Sequence, residues 1–403
     1  MGTKRSCPDC GPVPVRHWTE RWAAITDWAI APFQKPLEVI WRAVEPAVSL
    51  LHLERLGPPV MRVCTAIGIG TILTEPDGTD NLRTKCLWEA AERRGITMRE
   101  FRLFGRRTDI CFARYRGALR IFDGLPRPAG LTAKSLDWMD DKGVMKRKFQ
   151  AAGIPVARGG TAVRLAHALD IFHRIGGPAV VKPNLGSRSR HARTGIATDV
   201  ELKDAFDVAK QLSPWVVVEE ELRGPVFRGT VIGGRCAGII RRDHPTVVGD
   251  GTLTVRELVA AENKNPKRRG PVFHPITLDA DADTELTRQY LTTESIPKRG
   301  QRVRLNEKVD RGYGGTTTDV TDEMHPENVA VLERVGRYLE DPLVGIDFII
   351  EDITKPWSAQ QACGVIECNS LPFLDLHAYP FAGPVRDAAG ALWELVFPEN
   401  NRE

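Results

Sequence analysis

Two apolar runs near the carboxy-terminal end of this chain are each broken by groups that do not belong in a core. Leu343-Val-Gly-Ile-Asp347-Phe-Ile-Ile350 carries one carboxylate, and Val365-Ile-Glu367-Cys-Asn369 carries a carboxylate and an amide. Side chains two apart on a strand share a face, so Glu367 and Asn369 point the same way. If the two runs pair, Asp347 joins them. Ionised carboxylates rarely bury unless paired or metal-bound. Three hard oxygen donors on one face suit a Mg²⁺ ion that bridges phosphates and offsets charge on a transferring phosphoryl group. The plainer reading, a solvated acidic face, fits poorly with apolar residues on either side.

Two other features fall into line with this one. Pro178-Ala-Val-Val-Lys182-Pro183 is an apolar strand that ends on a lysine, which must reach water or an anion. The loop after it, Asn184 to Gly195, is rich in hydroxyls and guanidiniums. Its backbone amides, Ser187, Ser189, and Arg188 or Arg190 suit a polyphosphate, while a solvated basic loop is the bland alternative. Val216-Val-Val-Glu219-Glu-Glu-Leu222-Arg-Gly224 is an apolar strand running into an acidic edge. Such an edge offers an adenine base one donor and one acceptor; three carboxylates at an exposed strand end are the alternative.

The bulk numbers permit this chemistry and exclude others. The chain has 403 residues, 42% apolar and 27% charged, as expected of a soluble protein of two or three packed units. A net charge of +4 is too small to argue for nucleic acid. No stretch of about 18 apolar residues predicts a membrane span, and the amino terminus lacks a secretory pattern. Most of the eight cysteines lie scattered in apolar segments, which predicts reduced thiols and a cytoplasmic protein. Cys7-Pro-Asp-Cys10 has metal-like spacing. No second pair follows at a suitable distance in sequence, so it reads first as part of a tail, with zinc or redox chemistry as the lesser reading.

Along the chain, residues 1–15 read as a disordered tail and His17 to Leu56 as helical. Trp18, Trp22, Ile25, Trp28 and Ala29 recur at helical spacing, and Val39 to Leu53 repeats the pattern. These faces read as core packing or as a contact surface for a second copy, and less readily as a membrane surface. Residues 60–130 read as a small α/β unit with a capped helix from Asp80 to Gly95 and strands at Met98–Phe104, Asp109–Tyr115 and Ala118–Phe122. Pro126 to Gly130 reads as a linker. A helix from Asp140 to Ala152 and a helix-and-strand set to Glu219 follow, and strands dominate beyond Gly224. The order predicts an α+β fold.

Asp141-Lys142, Val181-Lys182-Pro183, Val218-Glu219-Glu-Glu-Leu222-Arg-Gly224, Gly345-Ile-Asp347 and Ile366-Glu367-Cys-Asn369, in this order, resemble the ATP-grasp superfamily. Val247 to Leu258, Asn263 to Gly270 and Gly314 to Pro326 are similar to the ATP-grasp part of cyanophycin synthetases and of bifunctional glutathione synthetases. The resemblance covers residues 135–398. It implies two α+β subdomains clasping ATP (131–223 and 224–403), after a small α/β pre-ATP-grasp domain (59–130) and a helical extension (1–58). It implies an ATP-dependent ligase joining a small carboxylate to an amine through an acyl phosphate. Lys142 and Lys182 would hold the phosphates under the loop containing Ser187, Arg188 and Ser189. Glu219, Glu220 and Leu222 would meet adenine, and Asp347, Glu367 and Asn369 would bind two Mg²⁺ ions, or Mn²⁺ in their place. Arg304, Lys308 or Arg311 would supply the cation at the transferred phosphoryl group.

The chain departs from that pattern in places. Ser189-Arg190-His191 fills a position where the loop usually has glycine, and Val226 stands where a ribose-binding carboxylate is common. Arg228, Arg241, Arg242 and His377 hint at an anionic donor, although surface arginines explain themselves. The chain stops at Glu403, without the Mur-ligase-like domain of cyanophycin synthetases, so polymer synthesis is not expected. A phosphotransferase and a nucleotide-binding protein without turnover are the alternative readings of the same parts.

Overall fold

The computed structural model describes residues 7–10, 15–26, 29, 57–77, 81–128, 138–139, 141–185 and 190–398. Residues 17–26 are helical, with Trp18 and Trp22 exposed. Trp28, the Val39–Leu53 pattern and the end of the Pro126–Gly130 linker lie outside the described residues.

The apolar run at Val60–Leu73 divides at Gly68, where φ is 79° and glycine is favoured. A helix, Gly57–Ala66, precedes that break and strand β1 (Gly70–Leu73) follows it. Strands β2 (Thr97–Leu103), β3 (Arg106–Tyr115) and β4 (Ala118–Asp123) complete an antiparallel sheet in sequence order. The helix Leu82–Arg93 lies between β1 and β2, and the Asn81 side chain accepts from Thr84 N at its start. Its buried face, Leu87 and Trp88, packs with Met98 and Phe122 and with Leu392, Trp393 and Val396 of the helix Ala388–Val396. Trp393 Nε1 donates to Leu87 O at 3.0 Å, so the far end of the chain closes this core.

A second antiparallel sheet runs in the order β5 (Gly159–Ala162), β8 (Val216–Glu220), β6 (Ala179–Pro183), β7 (Arg193–Ile196). The helices Leu165–Ile175 and Asp199–Lys210 cover one face with Ile171, Phe172, Leu202 and Phe206. The second helix starts at a reciprocal Thr198–Glu201 cap, which satisfies two otherwise orphaned amides.

The third sheet has five strands, in the order β13 (Thr316–Asp319), β10 (Arg235–Asp243), β9 (Val226–Ile232), β14 (Leu343–Ile349), β15 (Gly364–Asn369). Gly233 and Gly234 join β9 to β10 with φ of 57° and 78°, the double positive φ of a tight hairpin turn. The helix Pro326–Leu339 packs on this sheet, as do Met145 and Phe149 of the helix Lys142–Ala151. Between β10 and β13 the chain forms an insert with its own core, Val247, Val259, Leu286 and Val303. It contains β11 (Thr246–Val248), β12 (Arg302–Arg304) and two helices, Val255–Glu262 and Ala280–Arg288. Strands therefore do not dominate beyond Gly224. Four helices of eight or more residues lie there, each opened by a capping side chain, including the Thr254–Glu257 pair. Asp-Gly and Gly-Gly turns favour a strand reading of this region, whereas the caps at Thr254, Asp279, His325 and Asp387 start helices. The fold is α+β, as expected.

Candidate active site

The site begins where the end of β6 meets the start of the helix Lys142–Ala151. Asn184 follows β6; its backbone N donates to Trp215 O at 3.0 Å, and its Oδ1 accepts from Gly143 N at 2.8 Å. A Cβ on Gly143 would stand 2.4 Å from Thr161 Oγ1 and 3.0 Å from Asn184 Oδ1, so only glycine permits this approach. Asp141 caps the helix by accepting from Val144 N at 2.7 Å. The helix turns Met145 and Phe149 onto the third sheet and extends Lys142 and Lys146, four residues apart, along another side.

Lys146 and Lys182 converge on one carboxylate. Lys146 Nζ donates to Glu219 Oε2, and Lys182 Nζ donates to Glu219 Oε1. Glu219 is 3% exposed and Lys146 4%, which makes this a buried pairing rather than a surface contact. Burial pushes the Glu219 carboxyl up, but the charges of the two lysines outweigh it and hold it at about 2. Burial also holds Lys146 below its ordinary value, against the opposing pull of Glu219. The acidic edge expected at this strand is thus not an edge at Glu219. β8 lies inside its sheet, paired with β5 and β6, and its ladder runs to Glu220. Glu220 accepts from Arg158 N and Nε, each at 2.7 Å. Only beyond Glu220 does the chain leave the sheet, where Leu222 is buried.

On the third sheet the two apolar runs pair as expected. Asp347 stands opposite Glu367, and Gly345 opposite Asn369. On the other side Asp347 stands opposite Arg228 of β9, so all three donors share a face with a buried arginine. Arg228 Nη2 donates to Asp347 Oδ2 at 2.7 Å, and Nε donates to Oδ1. Burial raises the Asp347 carboxyl, and Arg228, with Arg242 and Lys142 behind it, lowers it further than burial raises it. With its amide oriented to satisfy both ends, Asn369 donates to Glu367 Oε1 and accepts from Arg228 Nη2, each at 3.1 Å. Lys142 Nζ lies 3.9 Å from Glu367 Oε2, which links the lysine helix to this face. The donors are hard oxygens, the Glu367 side chain is 26% exposed, and each Asp347 oxygen has a second lone pair. That set fits Mg²⁺ or Mn²⁺ and not a soft metal.

The remaining candidates divide. Arg304 directs Nε to Glu285 Oε1 at 2.6 Å within the insert. Lys308 Nζ donates to Tyr313 OH at 3.2 Å, and Arg311 Nη2 donates to buried Asp375. Ser187, Arg188 and Ser189 lie outside the described residues. Arg228 is 4% exposed and His377 fully buried, so the surface explanation fails for both. Burial, with Arg228 and Arg386, holds His377 down at about 3, and its Nε2 meets Thr230 Oγ1 at 2.8 Å. Sequence reasoning missed Lys146, whose spacing from Lys142 was the available signal. It also missed Asp375.

Comparison with known proteins supplies context for this geometry. No family model matches the chain. A cyanophycin synthetase of Nostoc sp. is 33% identical over 263 residues, 64% of this chain and 29% of that protein. The bifunctional glutathione biosynthesis protein of Mannheimia succiniciproducens is 31% identical over 269 residues, 65% of this chain and 36% of that protein. The chain thus spans about a third of the length of these relatives. The crystal structure of a bifunctional glutathione synthetase from Pasteurella multocida superposes with a TM-score of 0.60 at 26% identity, over 80% of this chain and 44% of that one.

Proposed function

We propose that this chain, which belongs to the ATP-grasp superfamily, consumes ATP to join a small carboxylate to an amine. One observation carries the reading. Lysines tied to the second sheet and oxygen donors of the third sheet meet at the Lys142–Glu367 contact, as a nucleotide held between two sheets requires. Lys142, Lys146 and Lys182 hold the phosphates, and Glu219 keeps the last two aligned until the nucleotide arrives. The adenine sits where the chain leaves β8, against Glu220 and Leu222. Asp347, Glu367 and Asn369 hold the divalent ions, which supply the charge that offsets the transferring phosphoryl group.

The reaction has two steps. The carboxylate oxygen attacks the γ-phosphorus and ADP leaves, giving an acyl phosphate. The amine then attacks the acyl carbon, an amide forms, and inorganic phosphate leaves with the proton lost from nitrogen. Transfer of this kind depends on positioning and charge more than on covalent catalysis. Buried Arg228 Nη1 and Arg311 Nη1 have no hydrogen-bond partner among the described residues. They are the donors for an anionic carboxylate substrate, with Arg242 Nη1 3.8 Å from Asp347 Oδ2 beside them. Arg304 is held by Glu285 and takes a structural part. The names of the relatives point to amino acids or short peptides as substrates.

The test is an ADP-release screen with pooled amino acids and short peptides, followed by mass spectrometry of the products. Amine-dependent ADP release with an amide product is expected. ADP release with a phosphorylated end product, or nucleotide binding without turnover, overturns the ligase reading.

A further inference from the structure

The Cys7-Pro-Asp-Cys10 pair lacks a second pair in sequence, but the fold supplies one. Cys7, Cys10, His17 and His191 bring one ligand atom each to within 4.8 Å of one another. Cys10 Sγ lies 3.1 Å from His17 Nε2 and 3.4 Å from His191 Nε2, and Cys7 Sγ lies 3.6 Å from His191 Nε2. Around a tetrahedral zinc ion with Zn–S of about 2.3 Å and Zn–N of about 2.0–2.1 Å, a sulfur and a nitrogen stand about 3.6 Å apart. Cys10 and His191 are each 1% exposed.

Four features bring these groups together. His191 adopts φ of 54°, a left-handed conformation that a non-glycine residue rarely takes without something to hold it. Its Nδ1 lies 2.9 Å from Val208 O. A carbonyl only accepts, so Nδ1 carries the proton and the Nε2 lone pair faces the thiols, the arrangement that orients metal-binding imidazoles. The backbone also docks the two segments: His191 N donates to Asp9 O at 3.1 Å, and Arg193 pairs with Asp9. The turn Pro8–Cys10 folds the two thiols to one side, with Cys10 N donating to Cys7 O at 3.2 Å.

We propose that Cys7, Cys10, His17 and His191 bind one zinc ion that fastens the amino-terminal segment to the loop following Lys182. Four protein ligands leave no open position, so the ion is structural and not catalytic. His191 lies in the loop that follows β6, so the ion ties that loop to the amino-terminal segment. This assignment does not depend on the ligase reading.

The test uses the full chain, purified without chelator from zinc-supplemented cells. Metal analysis should give one zinc per chain, and cobalt in its place should give the intense visible bands of a tetrahedral thiolate site. Cys10→Ser and His191→Gln should each bring the zinc content close to zero, and chelation should expose residues 7–26 to protease in the wild-type chain. A wild-type protein with no zinc and no tetrahedral cobalt spectrum overturns the proposal whatever the variants do. A Cys7–Cys10 disulfide in the freshly isolated protein also overturns it, in favour of a redox pair. Full zinc retention in His191→Gln overturns the link to the loop.

Discussion

Replacing Glu219 with glutamine keeps the shape of the side chain and removes the charge that Lys146 and Lys182 share. The structure sets the magnitude. The carboxyl moves from an ordinary 4.5 to about 2, and at about 1.4 kcal/mol per pH unit this is worth about 3 kcal/mol at neutral pH. Breaking a buried ion pair costs about 3–5 kcal/mol by a separate route, so the two figures agree. In a cooperative unit of about 150–250 residues, each kcal/mol moves Tm by about 2–4 °C, so Glu219→Gln should melt about 6–12 °C below wild type at pH 7. The sign with pH follows from the depressed carboxyl. Its stabilisation is complete above 4.5 and fades as pH falls toward 2, so less than half of it remains at about pH 3. Differential scanning calorimetry of both proteins from pH 7 to pH 3 measures the gap. A gap under about 2 °C at pH 7, or one that does not narrow toward pH 3, refutes the assignment of Glu219 as the shared anion.

Substitutions at three other positions probe the site. Glu367→Gln should abolish Mg²⁺-dependent ADP release with Tm unchanged within about 2 °C, because the side chain is partly exposed and its shape is kept; steady-state assay and calorimetry read this together, and near-normal turnover removes Glu367 from the metal set. Arg228→Met leaves Asp347 buried without its fork and should cost about 3–5 kcal/mol in thermal or urea unfolding, and Arg228→Lys should recover only part of it, since an ammonium cannot bond both oxygens in parallel. Gly143→Ala places a methyl 2.4 Å from Thr161 Oγ1, so it should push the lysine helix away from Asn184 and weaken ATP binding measured by titration calorimetry; unchanged affinity shows that this contact does not position Lys142.

Local chemistry was legible in the chain because it is local. The apolar runs at Asp347 and Glu367, the helix from Asp140 to Ala152 and the lysine ending an apolar strand each follow from a few adjacent residues, and the structure stands Asp347 directly opposite Glu367. Distance in sequence hid the rest. Arg228 looks like any surface arginine until β9 is laid beside β14 and its guanidinium meets Asp347. Glu219 reads as a strand edge until β5 and β6 close on both sides of β8 and two lysines reach it from different elements. The packing of Trp393 against Leu87 joins residues 306 apart. His191 is 181 residues from Cys10, so no spacing rule connects them. A sequence fixes which groups can bond. Which of them lose water together, and so gain from bonding, is decided only when the sheets pack.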